Sequence, residues 1–446
     1  MHHTPASTLH TRRRFLRTTV LGGAMAWTVP AFIENTFLAL DAQAANSALQ
    51  TATGRDQPIL VVLQLAGGND GLNTLIPYAD DAYRAARPKI GFAPDKVLKI
   101  NDYLALHPEL KGMRGLYDEG AFAAVQGVGY PNPNRSHFRS TEIWATASDA
   151  NKAESLGWIG RYFDNCCQGA DPAVGISIAK ESPLAFAAAQ PKGISFSKPE
   201  QFRYMKEGAS DPAAVDAFFR ELNGADSDAP STMTGGDGGS IGMIGGGGGQ
   251  SAEMNTADFL RRTALDAQLS SDQILAISKK TTAQNTYPGT ALANNLQLVA
   301  RMIAGGMPTR VYYVSQGGFD THVNQAASHS RLMTELDAAL SAFVTDLKAQ
   351  GNFDRVLLMT FSEFGRRVAE NNSAGTDHGA AAPLFLIGGN VKPGFFGTYP
   401  SLTKLNDGDL IHTTDFRSVY ATILERWLRA PSQKVLGRQY NLLPLV

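Results

Sequence analysis

An unbroken apolar run that ends abruptly in glycines limits the folds that this sequence can adopt. Residues 58–65 are Pro-Ile-Leu-Val-Val-Leu-Gln-Leu, and Ala-Gly-Gly-Asn-Asp-Gly follows at 66–71. A strand that is buried on both faces needs a continuous run of this kind, whereas a strand with one solvent-exposed face alternates apolar and polar residues. The run therefore predicts a buried strand of a parallel sheet.

Four further short runs have the same character, at 122–126, 309–315, 355–361 and 383–388. Between the runs at 309–315 and 355–361, apolar residues recur every three or four positions from Leu332 to Leu347, which predicts a long amphipathic helix. Strand, helix and strand at this spacing form a βαβ unit. We therefore predict an α/β fold with a mostly parallel central sheet and helices on both faces.

The N-terminal segment has the features of a twin-arginine signal peptide. Three consecutive arginines at 12–14 precede Phe15 and Leu16, residues 18–32 carry no charge, and Ala42-Gln43-Ala44 offers a small-x-small cleavage site. The uncharged run is shorter than the ~20 residues of a membrane span. We expect residues 1–44 to be removed by cleavage near Ala44 after engaging the twin-arginine export machinery. The product would be periplasmic or secreted, with no stable membrane span.

The remaining residues, 45–446, are predicted to form a single α/β domain with one flexible insertion at 224–252. The insertion is rich in glycine and serine and has few large side chains, so it cannot bury enough surface to offset the entropy of ordering it. It contains Gly238-Gly239-Ser240-Ile241-Gly242, a serine-hydrolase pattern without the strand and helix that such an elbow needs. A metal-free serine esterase is therefore the least favoured enzyme class.

Charge and cysteine content exclude two other classes of protein. The chain has 40 Lys and Arg against 41 Asp and Glu, and residues 1–44 hold four of the former and two of the latter, which leaves a net charge of −3. A chain with this charge balance lacks the excess of positive charge that binding to nucleic acid requires. The two cysteines, Cys166 and Cys167, are adjacent, and neighbouring cysteines rarely pair with each other because the bond is strained. A disulfide scaffold is thus excluded.

Polar clusters adjoin every one of the predicted strands. Ligands in parallel α/β sheets bind beyond the carboxyl ends of the strands, so these positions are informative. The candidate site residues are Asp70 after the first strand, Arg135, Ser136 and His137 after the second, Asp320 and His322 after the third, Glu363 and Arg366 after the fourth, and Asp377 and His378 before the fifth.

This set of residue types favours a divalent metal centre. Carboxylates with imidazoles suit zinc or manganese, whereas carboxylates alone suit magnesium or calcium, and one or two ions fit the set. A hydroxyl such as that of Ser136 would be activated beside a dication and could attack a phosphoryl or sulfuryl centre. The guanidinium of Arg135 or Arg366 could pair with the oxygens of such a group.

Several motifs together resemble the DUF1501 family. They are Gly-Gly-Asn-Asp-Gly-Leu-Asn at 67–73, Gly-Tyr-Pro-Asn-Pro-Asn-Arg-Ser-His-Phe-Arg-Ser at 129–140, Gly-Trp-Ile-Gly-Arg at 157–161, Gly-Phe-Asp-Thr-His at 318–322, Ser-Glu-Phe-Gly-Arg at 362–366 and Asp-His-Gly at 377–379. That family is similar in fold to the alkaline phosphatase and sulfatase superfamily. The resemblance implies a three-layer α/β sandwich.

The superfamily resemblance also implies roles for individual residues. Asp70, Asp320, His322 and His378 take the places of metal ligands, with His329 as a substitute for His322. Ser136 is the best match to the nucleophile position, with Ser140 as the alternative.

One departure from the superfamily pattern concerns the fourth strand. The superfamily has an Asp-His pair there, and this chain has Glu363-Phe364. Glutamate can coordinate a metal and phenylalanine cannot, so one of two metal sites would lack a nitrogen ligand.

Two hypotheses follow, and fold alone does not decide between them. The first is an exported, metal-dependent hydrolase or transferase of phosphate or sulfate esters, acting on a small-molecule or polymer substrate with a serine nucleophile. In this hypothesis the catalytic residues are Ser136, Arg135 and His137, and the metal ligands are Asp70, Asp320, His322, Glu363, Asp377 and His378. The alternative is a non-catalytic exported binding protein on a degenerate form of the same fold, which the Glu363-Phe364 departure favours.

Overall fold

The computed structural model describes residues 57–167, 170–190, 193–199, 271–277, 279, 281, 283 and 285–446. The predicted signal peptide at 1–44 and the predicted insertion at 224–252 lie outside these residues. The strands are β1 Ile59–Leu65, β2 Leu75–Ile76, β3 Leu98–Lys99, β4 Ala105–Leu106, β5 Phe122–Gly129, β6 Gly175–Ile178, β7 Ile194–Phe196, β8 Val311–Gln316, β9 Val356–Phe361, β10 Ala382–Ile387, β11 Gly394–Phe396, β12 Leu405–Asn406, β13 Asp409–Leu410 and β14 Thr414–Asp415.

The α-helices with assigned bounds lie between and after these strands. They are α1 Gly71–Thr74, α2 Asp81–Ala86, α3 Lys111–Asp118, α4 His137–Thr146, α5 Trp158–Cys166, α6 Ala291–Ala304, α7 Gln325–Ala349, α8 Phe416–Thr422 and α9 Ser432–Leu436. Among the described residues, no helix combines the length and the apolar character needed to cross a bilayer.

One nine-stranded sheet organises the described residues. Its order is β11-β5-β10-β9-β1-β8-β6-β7, with β14 paired to β5. Strand β1 pairs in parallel with β8 and β9, and β10 runs antiparallel to both of its neighbours, β9 and β5. The prediction of a mostly parallel sheet is confirmed, and all five predicted strands are present as β1, β5, β8, β9 and β10.

Helices cover both faces of this sheet. Ile59, Val61 and Leu63 of β1 belong to one apolar core together with residues of α3, α6 and α7. Leu60 and Val62, the alternate residues of the same strand, belong to a second core with residues of α4, α5, α8 and α9. Because successive side chains of a strand point to opposite faces, this alternation confirms the predicted arrangement of helix, sheet and helix.

The reversal of β10 decides where the site can form. In a parallel sheet the residues before a strand lie at the edge opposite to the residues after it. Because β10 is antiparallel, the chain leaves β9 and enters β10 at the same edge of the sheet. Residues 362–381 therefore lie beside the segments that follow β1, β5 and β8.

Candidate metal centre

Three segments at the carboxyl edge of the sheet meet around the side chain of Asp320. Its Oδ1 lies 2.9 Å from His322 Nε2 and 3.0 Å from His378 Nε2, and its Oδ2 lies 3.5 Å from His137 Nε2. Segments that are far apart in sequence thus bring three imidazoles to one carboxylate. The side chains are 21% to 47% exposed, so solvent reaches the cluster.

Each of these histidines has its Nδ1 directed at a group that only accepts hydrogen bonds. His137 Nδ1 is 2.8 Å from Glu363 Oε1, and His378 Nδ1 is 2.8 Å from the carbonyl oxygen of Arg135. His322 Nδ1 lies 3.5 Å from Asp377 Oδ1. Because carbonyl and carboxylate oxygens cannot donate, we assign the proton of each neutral ring to Nδ1. The Nε2 atoms then present lone pairs to the cluster.

The donor set fits a divalent cation. The Nε2 atoms of His322 and His378 are 2.9 Å apart, and both face Asp320 Oδ1. Lone pairs at these distances repel each other unless a proton or a metal cation lies among them. The ligand atoms of His137, Asp320 and His378 lie within 4.8 Å of one another, and this is the one such group of His, Cys, Asp or Glu in the described ranges. Imidazoles with a carboxylate suit zinc, and an acceptor on the second ring nitrogen is typical of ligating histidines.

Arg366 keeps Asp320 ionised. Burial alone would raise the pKa of Asp320, but the hydrogen bond and the charge of the Arg366 guanidinium outweigh burial and hold that pKa at about 2. The Arg366 guanidinium is buried and donates to Asp320 and to the carbonyls of Gly67, Gly68, Phe319 and Thr376. Its donors are therefore committed to holding three loops together around Asp320.

The Glu363-Phe364 pair supports the histidines. Glu363 is buried, and its Oε1 accepts from the backbone N–H of Gly67 and from His137, both at 2.8 Å. The ring of Phe364 packs against His378 and His137, with ring centroids 4.4 and 4.9 Å apart. Glu363 thus contacts the centre through His137, and Phe364 forms an apolar wall behind two of the imidazoles.

Asp70 lies in a separate buried ion pair. Its Oδ2 accepts from Arg87 Nη1 at 2.6 Å and from Gln325 Nε2. Burial works to raise the pKa of Asp70, but the charge and hydrogen bond of Arg87 outweigh burial and lower it. An arginine therefore already neutralises this carboxylate. His329, the predicted substitute for His322, is buried nearby and contacts Asn69 Oδ1 at 3.1 Å.

The candidate catalytic residues Arg135 and Ser136, and the alternative nucleophile Ser140, differ from one another in exposure and in hydrogen-bond partners. The guanidinium of Arg135 pairs with Asp409 at 2.7 Å and Asp407 at 3.2 Å. Ser136 is exposed at the N-cap of α4, where its side chain makes no capping hydrogen bond. Ser140 is buried and its hydroxyl contacts Tyr130 and the Asn134 carbonyl. Ser136 is thus the accessible hydroxyl of the two.

Two residues of the site were missed from the sequence, Arg87 and Gln325. Neither lies at the end of an apolar run, and a polar residue at a helix start is usually solvent-exposed.

Asp377, which was predicted as a ligand, accepts from Asn371 Nδ2 at 3.2 Å. That hydrogen bond, with the contact from His322 Nδ1, lowers the pKa of Asp377. No local sequence pattern distinguishes a carboxylate that binds a metal from one that accepts a hydrogen bond from a neighbouring side chain.

Comparison with known proteins gives one family and a set of distant structures. Residues 246–442 match the model of DUF1501, which is described as a protein of unknown function. No curated protein matches the chain by sequence.

Three solved structures illustrate the structural similarity. A protein in the alkaline phosphatase superfamily from Vibrio parahaemolyticus is 11% identical, with 82% of this chain and 70% of that chain covered and a TM-score of 0.34. The phosphonate monoester hydrolase SpPMH from Silicibacter pomeroyi is 11% identical, with coverages of 86% and 77% and a TM-score of 0.33. The PsFucS1 sulfatase from Pseudoalteromonas sp. is 10% identical, with coverages of 92% and 72% and a TM-score of 0.34. Likeness at this level assigns no activity to the chain.

Proposed function

We propose that this chain, whose residues 246–442 match the DUF1501 family, is a metal-dependent hydrolase or transferase of phosphate or sulfate esters. The observation that carries the proposal is the convergence of three imidazole Nε2 atoms on the carboxylate of Asp320. Catalytic metal centres keep a position open to water or substrate, and the partial exposure of these side chains agrees with that requirement.

In this proposal His137, His322, His378 and Asp320 hold one divalent ion. The bound ion would act as a Lewis acid on the non-bridging oxygens of the ester and would lower the pKa of a nearby hydroxyl. The chain's own contribution is to fix the ligands before the ion arrives. Glu363 and the Arg135 carbonyl hold the imidazoles of His137 and His378 in the ligating tautomer.

Ser136 is the proposed nucleophile. It lies between Arg135, whose carbonyl accepts from His378, and His137, whose ring faces Asp320. Its oxygen would displace the alcohol from phosphorus or sulfur, with the hydroxyl proton passing to the leaving alcohol, and water would then release the phosphate or sulfate. Ser136 is the N-cap of α4, and the N-terminus of a helix favours an anion electrostatically.

One observation favours the alternative of a non-catalytic binding protein. Both arginines predicted to orient the anion have their guanidinium donors engaged, Arg135 with two carboxylates and Arg366 with carbonyls and Asp320. In a hydrolase, the metal and the start of α4 would have to supply most of the attraction for the ester anion.

Metal content is the first test. We expect about one equivalent of zinc or manganese in purified wild type, and loss of that metal in Asp320→Asn and in His378→Ala, because each substitution removes a ligand. Asp81→Asn, which alters an exposed carboxylate paired with Arg84, is the matched control and should retain the metal. A wild type that stays metal-free after incubation with zinc, manganese and magnesium would refute the centre.

Turnover separates the two functions. With p-nitrophenyl phosphate and p-nitrophenyl sulfate as probes, we expect Ser136→Ala to lower kcat by at least about a hundredfold at unchanged metal content. Ser182→Ala, which removes another exposed serine, should leave kcat unchanged. A protein that binds metal but hydrolyses neither probe would support the binding protein instead.

A further inference from the structure

The side-chain amide of Gln325 joins the two loops that carry three of the proposed ligands. Gln325 is the first residue of α7 and is completely buried. Its Oε1 accepts from Thr321 Oγ1 at 3.0 Å and from Thr376 Oγ1 at 2.6 Å. Thr321 lies between Asp320 and His322, and Thr376 lies two residues before His378. One amide oxygen therefore contacts both sides of the centre.

Backbone hydrogen bonds join the same two loops around Gln325. The N–H of Gln325 donates to the carbonyl of Ala374, and the N–H of Asn324 donates to that of Ser373, both at 2.9 Å. The N–H of Thr376 lies 3.3 Å from the carbonyl of Thr321. The loop after β9 thus caps the start of α7, and the Gln325 side chain lies at the centre of this contact.

The other end of the amide is held by the Asp70–Arg87 ion pair. Gln325 Nε2 donates to Asp70 Oδ2, and both Asp70 and Arg87 are buried. Arg87 also donates to the carbonyls of Arg367 and Val368, in the loop after β9. Because a carboxylate accepts and threonine hydroxyls can donate, only one orientation of the amide satisfies all of its partners. The amide is therefore held rigidly.

We infer that Gln325 is a positioning residue that sets the separation of Asp320 and His322 from His378, and thereby the affinity of the centre for its metal. The inference rests on the proposed metal centre. In this inference the buried Asp70–Arg87 pair holds Gln325 in place and does not itself contact the metal ligands. Groups that orient ligands typically change metal affinity by about 10- to 100-fold when they are removed.

The test is zinc affinity, measured by titrating purified metal-free protein with Zn²⁺ in competition with a chromophoric chelator. We expect Gln325→Leu to weaken zinc binding by about 10-fold or more, because the loops lose their shared acceptor. Gln316→Leu is the matched control: Gln316 is also a buried glutamine, but it donates to the carbonyl of Leu332, outside the two loops. Its zinc affinity should equal that of the wild type even if its Tm falls.

A second variant, Thr376→Val, covers the case in which Gln325→Leu fails to fold. Thr376→Val preserves shape and removes one hydroxyl donor to Gln325 Oε1, so it should weaken zinc binding in the same direction. In a Gln325→Leu and Thr376→Val double variant, the second substitution should add little, because the bond is already absent. Unchanged zinc affinity in both Gln325→Leu and Thr376→Val would overturn the inference, whereas absence of zinc binding by the wild type would instead refute the proposed function.

Discussion

Arg366 and Arg367 are neighbours in the chain with very different surroundings. Arg366 is buried and donates to four backbone carbonyls and to Asp320. The side chain of Arg367 is about one-third exposed, pairs with the exposed Asp407 at 3.2 Å and lies 3.7 Å from Asp409, which Arg135 also contacts. The pair therefore allows a buried guanidinium to be compared with a surface one at adjacent positions.

We predict that Arg366→Met lowers the free energy of unfolding by more than about 3 kcal/mol, because several buried acceptors lose their donor at once. Arg367→Met should cost less than about 1 kcal/mol, as expected for an exposed pair. Chemical denaturation of the two variants beside the wild type measures both values. Equal losses would show that the carbonyls around Arg366 find other donors.

The sequence suggests which residues could carry chemistry, but it does not show which groups they contact. Asp320, His322 and His378 were predicted because polar clusters at strand ends indicate a site. The contacts of Arg135 with Asp407 and Asp409 join residues more than 270 positions apart in sequence, and no local pattern encodes them. The same limit applies to Arg87 and Gln325.

At the scale of elements, the loop after β1 packs directly on the loop after β8. Gly67 has a φ of +118°, and a Cβ placed there would lie 2.5 Å from the backbone nitrogen of Asp320. Backbone atoms cannot move aside as a flexible side chain can. The close approach of these two loops therefore depends on glycine at position 67.

We predict that Gly67→Ala abolishes metal binding, because the new methyl group would displace Asp320 from the imidazoles. Gly437→Ala is the control, since Gly437 also has a positive φ, +80°, but its added Cβ would meet no atom within 4 Å. Both variants carry a backbone strain of about 1–2 kcal/mol. Metal analysis should find the ion in Gly437→Ala alone, and metal retained by Gly67→Ala would contradict the prediction.

The elements themselves were largely predictable, with instructive exceptions. The five apolar runs identified β1, β5, β8, β9 and β10, because a buried strand needs such a run. Strands β6 and β7 are only four and three residues long and were missed. The antiparallel direction of β10 was also not predicted, because the composition of a strand does not indicate the direction in which it runs.

At the scale of the whole molecule, buried histidines connect stability to pH. Burial lowers the pKa of His329 to about 4 and that of His107 to about 3. In the unfolded chain both rings would take up protons near pH 6.5. Because the unfolded state binds more protons between pH 6.5 and 4, the folded state loses stability as the pH falls through this window.

We predict that His329→Gln, which preserves a donor toward Asn69, flattens this pH dependence by an amount on the order of 2 kcal/mol between pH 7 and pH 4.5. Guanidinium denaturation of metal-free wild type and variant at both pH values gives the comparison. Metal-free protein is needed because a bound ion would stabilise the folded state by an amount that itself depends on pH. Parallel pH profiles would show that His329 is already charged in the folded protein.

The order of the sheet has a consequence for how the chain can be divided. The hydrogen bond from Gly67 to Glu363 spans 296 residues, and the one between His137 and Glu363 spans 226. A fragment restricted to residues 246–442 would contain β8 and β9 but lack β1, the strand that pairs with both. It would also lack His137. Closing such long loops lowers the conformational entropy of the chain, and only the contacts of the assembled sheet offset that loss. The two halves of the chain must therefore fold together before the metal centre can form.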